Sequence, residues 1–133
     1  MALIKERQTR MRLPERESHP VAAGVKILAG SLVVLEAGFA RPGRTATGLI
    51  ALGRAERTVD NTEGAAGEAR IEILRKRAFQ FDNLDADPVG QADVGTTCFI
   101  VDDETVARTD GTGTRSSAGR VVAVDPAGVW VEV

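Results

Sequence analysis

The chain has no tyrosine, one histidine, one cysteine and one tryptophan among its 133 residues. These scarcities exclude several kinds of chemistry at once. The lone Cys98 has no intramolecular disulfide partner, and its place inside Thr97-Cys98-Phe99-Ile100-Val101 predicts a buried, inert thiol. His19 has no cysteine within a motif, so neither a Cys/His nucleophilic pair nor a histidine-based zinc site is expected. No apolar run reaches the roughly 18 residues of a membrane helix, and the N-terminus lacks an apolar signal-peptide core. The expectation is a chain made and kept in the cytoplasm, without membrane contact. An excess of charge of one sign is missing too. Seventeen basic residues face 19 acidic ones for a formal charge of −2, which removes the strong attraction to phosphate of a dedicated nucleic-acid binder.

What remains is enough for one domain, because a chain of this length removes roughly two-thirds of its unfolded surface from water. With 4% aromatic residues, its core has to be built mainly from Val, Ile, Leu and Ala around Phe39, Phe79, Phe81, Phe99 and Trp130. Trp130 is read either as a core residue beside Val129 and Val131 or as an interface anchor.

Composition changes once, near His19-Pro20, and divides the chain into an extended arm over residues 1–19 and a single β-domain over residues 20–133. The arm carries five basic residues against three acidic ones, while the body is left with 12 basic and 16 acidic. Arm and body therefore have opposite signs. Fully extended, the arm spans at most about 65 Å. It reads either as a solvated tail or as an inter-subunit tether, in which Leu3, Ile4, Arg7, Arg10, Arg12 and Leu13 would contact a partner or a neighbouring copy.

The body reads as short strands. Apolar residues alternate or run in blocks across residues 96–101, 105–109, 119–125 and 129–133, while Asp102-Asp103, Asp110-Gly111-Thr112-Gly113 and Pro126-Ala127-Gly128 supply reversals. This segment is expected to form an antiparallel sheet. Upstream, runs at residues 25–28, 31–35 and 47–52 are divided by Ala29-Gly30 and by Pro42-Gly43, whose residue types suit a type II turn. Residues 68–81 fit a helical face through Ile71, Leu74, Ala78 and Phe81 and a strand through Ala69, Ile71 and Ile73; a strand bent near Leu74-Arg75 suits the β-like context better. One helical turn is expected before Gly95.

Candidate chemistry is absent wherever a pattern suggests it. The stretch Asp82-Asn83-Leu84-Asp85-Ala86-Asp87 looks like a calcium loop, but Pro88 and Val94 stand where Gly and Glu are required. Gly111-Thr112-Gly113-Thr114 lacks a following Lys-Ser/Thr pair and reads as a mobile loop. Ser116 and Ser117 have no nearby base, and Asp102, Asp103 and Glu104 are ordinary turn residues. No catalytic residue, cofactor or metal is expected, and the chain reads as acting through its surfaces.

A resemblance adds to this reading. Gly64-Ala65-Ala66-Gly67-Glu68 leads into an apolar strand, Ala92-Asp93-Val94-Gly95 precedes Thr97-Cys98-Phe99-Ile100, and the chain closes with Gly119-Arg120-Val121-Val122 and Gly128-Val129-Trp130-Val131. This order and spacing, over roughly residues 22–133, resembles the capsid cement or decoration proteins of tailed, Mu-like bacteriophages. Gly95-Thr96 departs from the Gly-Asp that the family carries there. The resemblance implies an all-β, small antiparallel barrel or jelly-roll-like sandwich that is no enzyme. It implies a minor capsid protein on the outer surface of the icosahedral head, synthesised in the host cytoplasm. Its partners would be the major capsid protein and further copies of itself, with a homotrimer favoured over a homodimer. The alternative is a small β-barrel that binds nucleic acid through the basic arm and Arg75-Lys76-Arg77.

Overall fold

Residues 1–133 are all described by a computed structural model, which contains twelve strands, one 3-10 turn at Gln91–Asp93 and no α-helix. The fold is all-β, as the turn spacing predicts. Five strands make the first sheet, in the order β1 (Arg16–Pro20), β7 (Arg70–Leu74), β5 (Ile50–Ala55), β3 (Leu32–Glu36) and β4 (Phe39–Pro42), with every pair antiparallel. Its edges approach at one end, where Val21 bridges Ala40 and the Ala22 N–H donates to the Ala40 carbonyl at 3.1 Å. A short ribbon of β2 (Val25–Ile27) and β6 (Val59–Asn61) completes this half.

The second sheet closes on itself. Its strands run β8 (Ala78–Asn83), β12 (Gly128–Glu132), β11 (Ser117–Asp125), β9 (Thr97–Ile100) and β10 (Thr105–Ala107), and β10 returns to β8. Within the C-terminal segment every pair, β9 with β10, β9 with β11 and β11 with β12, is antiparallel, as expected. Thr105 and Val106 pair in parallel with Asp82 and Asn83, and that one parallel contact turns the sheet into a barrel. Closure leaves no sheet edge exposed there.

Strand β3 ties the two halves together. Leu32 and Val34 point into the barrel beside Phe79, Phe81, Ile100 and Val131, while Val33 points the other way, among Ile71, Ile73, Val59 and Leu52. A strand buried on both faces needs a continuous apolar run, and Leu32-Val33-Val34-Leu35 supplies it. Each fully buried aliphatic side chain contributes about 1.5–3 kcal/mol relative to exposure. At the barrel's side, the Arg54 guanidinium lies 4.9 Å from the Phe79 ring centre.

Residues 68–81 are extended, with a break where the sequence puts it. β7 ends at Leu74, Lys76 takes a positive φ of 58°, and β8 begins at Ala78 in the other sheet. The expected helical turn before Gly95 is the 3-10 turn, whose Asp93 carboxylate accepts from the Gly90 N–H at 2.7 Å.

Three expectations need correction. Pro42-Gly43 is not a type II turn: Gly43 has no positive φ, and its N–H donates to the Leu32 carbonyl at 2.8 Å. Glycine is needed there for close approach, since a Cβ would stand 3.0 Å from the Asp102 carbonyl oxygen. The chain reverses instead at Ala37-Gly38, with φ of 50° and 86°, the pattern of a type I′ hairpin. The arm is shorter than residues 1–19, because Arg16–Pro20 forms an edge strand in register with Arg70–Leu74. The loop at residues 110–114 is pinned: the Thr114 and Arg115 N–H groups both donate to the Asp110 carbonyl, at 2.9 and 3.0 Å.

Candidate functional site

Every residue from 1 to 13 is exposed, and this segment forms no strand. Leu3, Ile4 and Leu13 keep 72, 90 and 75% of their surface in water. Half of the large apolar side chains left exposed in the chain belong to this arm, Met1 and Met11 being the others. Isolated exposed aliphatic residues are ordinary; five on one strand-free segment are an unsatisfied surface.

The six residues expected to contact a partner divide into two groups. Leu3, Ile4, Arg7, Arg10 and Leu13 are exposed and make no ion pair. Arg12 turns back, donating from Nη2 to the Glu17 carboxylate at 2.6 Å, and belongs to the arm's root.

That root is held firmly. The Arg75 N–H donates to the Glu15 carbonyl at 2.8 Å, and the Arg77 guanidinium donates to the Glu15 carboxylate at 3.2 Å. The Arg77 hydrogen bond and charge hold the Glu15 carboxyl below its ordinary value. β1 then runs along β7, where Arg70 donates to the Ser18 hydroxyl and to the Ser18 carbonyl, each at 2.9 Å. Arg12, Arg16, Arg57 and Arg70 line an open groove here with Glu17 and Glu72. Burial lowers the pKa of His19 in this strand, and no cysteine or serine nucleophile is in register with it.

Across the barrel from the root the charge reverses. β8 leads away from Arg75-Lys76-Arg77 to Asp82 and Asp85, which line a second groove with Asp125, Pro88 and Pro126. Beside this groove Trp130 faces outward, 37% exposed, between Ala123 and Gln80 in register on the neighbouring strands. It is not a core residue. Its indole N–H donates to Asp125 Oδ2 at 3.1 Å, and Asp125 Oδ1 accepts from the Ala127 N–H at 2.8 Å. These donors, the indole first, lower the pKa of the Asp125 carboxyl. Val122, 42% exposed at the bulge of β11, lies next to Ala123 on this side of the barrel.

The polar residues that suggest chemistry in the sequence are committed to turns. Ser116 donates to the Ala46 carbonyl at 2.7 Å and accepts from the Leu49 N–H at 3.0 Å. Asp87 accepts from the Thr109 hydroxyl and from Arg115, at 2.5 and 2.9 Å. Asn83 brackets Val89 with two bonds of 2.8 Å. The calcium-like stretch thus closes loops around the barrel mouth, and no group of three or more His, Cys, Asp or Glu is arranged to hold a metal ion. Gly64-Ala65-Ala66-Gly67-Glu68 is likewise a clamped turn: Glu68 accepts from the Ala65 N–H at 2.7 Å, and buried Asn61 donates to the Ala22 and Ala65 carbonyls at 3.0 Å.

Sequence reasoning finds an arm, with bounds too long, and leaves Trp130 open between the core and an outward position; the structure places it outward. The available signal was parity, because Glu132 shares Trp130's side of β12 while Val129 and Val131 share the other. Comparison with protein-family models, with curated proteins and with solved structures gives no match for this chain.

Proposed function

We propose that the chain is a non-enzymatic capsid decoration protein, attached to the outer surface of an icosahedral bacteriophage head and tying neighbouring copies of the major capsid protein together. The observation that carries this reading is an arm whose large apolar side chains are exposed and whose Lys5, Arg7 and Arg10 make no ion pair, hung from a root clamped by Arg75 and Arg77. A rigid body with a free leash suits linkage better than turnover. The resemblance in glycine spacing supplies the class of partner, and the arm supplies the means. Several weak contacts made by one small oligomer, a homotrimer or a homodimer, gain effective concentration at each added link and resist separation of the subunits beneath.

The test is the particle itself. Density for the chain over capsomer junctions, stoichiometric presence in purified heads, and a lower thermal disruption temperature of heads lacking it are expected. Heads that lack the chain and are equally heat-stable would overturn the proposal.

Nucleic-acid binding is the second reading, favoured by one observation: Arg75-Lys76-Arg77 and Arg16 join the arm at a single basic end. It is the weaker of the two. Arg12, Arg16 and Arg77 already face carboxylates, and the exposed Trp130 that could stack a base stands beside acidic residues. A salt-sensitive mobility shift with single-stranded DNA is its test.

A further inference from the structure

We propose that residues 1–13 of one copy lie across the outer barrel face of a second copy, over Trp130 and Val122, with Lys5, Arg7 and Arg10 meeting Asp82 and Asp85. This deepens the reading of the arm as a tether by naming its occupant as another copy of this chain.

Three features of the molecule match one another. The arm presents exposed Leu3, Ile4 and Met11, and the barrel presents an exposed apolar face in Trp130 and Val122. Between those apolar residues the arm carries Lys5, Arg7 and Arg10 without ion-pair partners, while Asp82 and Asp85 at the edge of the barrel face also have none. Complementary potential steers such an encounter and fixes its register. Size agrees too. Thirteen extended residues cover about 45 Å, which exceeds the roughly 35 Å width expected for a body of this length.

The neighbour is a better seat than the arm's own barrel. The arm leaves from the end of β8 marked by residues 75–77, the acidic groove lies at the other end, and every residue from 1 to 13 is exposed, with Arg12 alone paired to its own body, at Glu17. A basic end meeting an acidic end is also a heterologous contact, which forms a ring when the rotation between copies closes.

Trp130 is the only tryptophan, so its emission reports directly on this face. The full chain, a deletion of residues 1–13, the Arg7→Glu/Arg10→Glu pair and the Asp82→Lys/Asp85→Lys pair are compared by sedimentation and fluorescence, with far-UV circular dichroism confirming that each is folded. The full chain should sediment at two or three times 14.1 kDa. The deletion and each charge-reversed pair should fall to the single-copy mass with red-shifted Trp130 emission, and mixing the two reversed pairs should restore both signals. Three results would overturn the proposal. They are a full chain that is monomeric at tens of micromolar, an oligomer that survives the deletion with unchanged emission, or a monomer whose emission shifts on deletion because the arm folds onto its own barrel. A monomeric chain that still binds heads would sink this inference and leave the decoration reading standing.

Discussion

Cys98 and Trp130 occupy similar apolar sequence surroundings and end on opposite sides of the same barrel wall. In a strand the side chains alternate, so the side taken depends on parity and not on the hydrophobicity of immediate neighbours. Cys98 shares its side of β9 with Ile100 and is fully buried, while Trp130 shares its side of β12 with Glu132 and faces out. The inert thiol was therefore legible from the sequence, and the tryptophan was legible only if parity outweighed its bulk. Burial pushes the Cys98 thiol from its ordinary 9.0 up to about 11. Because the folded value is the higher one, the stabilising contribution is complete below pH 9 and is lost as pH rises toward 11. Linkage puts that loss at up to about 2–3 kcal/mol. Cys98 should resist iodoacetamide at pH 8 in the native protein and react promptly in urea; native labelling as fast as in the unfolded chain would contradict the buried assignment. Cys98→Ala should flatten the alkaline fall in urea stability between pH 9 and 11.

At the level of elements, β1 was the hardest to see. Arg16-Glu17-Ser18-His19-Pro20 has no apolar alternation, so nothing local marks it as a strand; it is seated by its ladder to β7, a contact 50 residues and more away in sequence. The bend expected near Leu74-Arg75 falls close by, at Lys76, although lysine does not favour the positive φ it takes there, and Pro42-Gly43 misled because glycine serves close approach at Gly43. The strand predicts a sharp boundary in truncation. For the single-copy state, at concentrations too low for assembly, removing residues 1–13 should change urea unfolding by less than about 0.5 kcal/mol, because those residues are all exposed on their own body. Removing residues 1–20 strips the β7 ladder and opens the cover over Ile71 and Ile73, at a cost of about 3–5 kcal/mol. Equal stability of the two truncations would mean that β1 is not part of the folded unit in solution.

Across the whole molecule, the class of fold was readable and the wiring was not. Short strands between turn residues announce an all-β chain, but neither the parallel return of β10 to β8 nor the two-sided burial of β3 leaves a local pattern that fixes its partner. Because Val34 belongs to the barrel core and Val33 to the other, both cores should melt together. Val33→Ala and Val34→Ala should each cost about 2 kcal/mol. In either variant Trp130 fluorescence and far-UV circular dichroism should keep coincident urea midpoints; midpoints that part would show two independent units. The three-residue turn that clamps the arm's root has another duty. The Lys76 N–H donates to the Val133 carbonyl at 2.7 Å and the Val133 N–H to the Arg77 carbonyl at 3.2 Å, so the last residue is fastened beside the point where the leash departs. A cargo fused after Val133 would emerge next to the arm and crowd whatever the arm grips, whereas a peptide inserted between Thr112 and Gly113, both exposed and remote in sequence from that fastening, would leave it unobstructed.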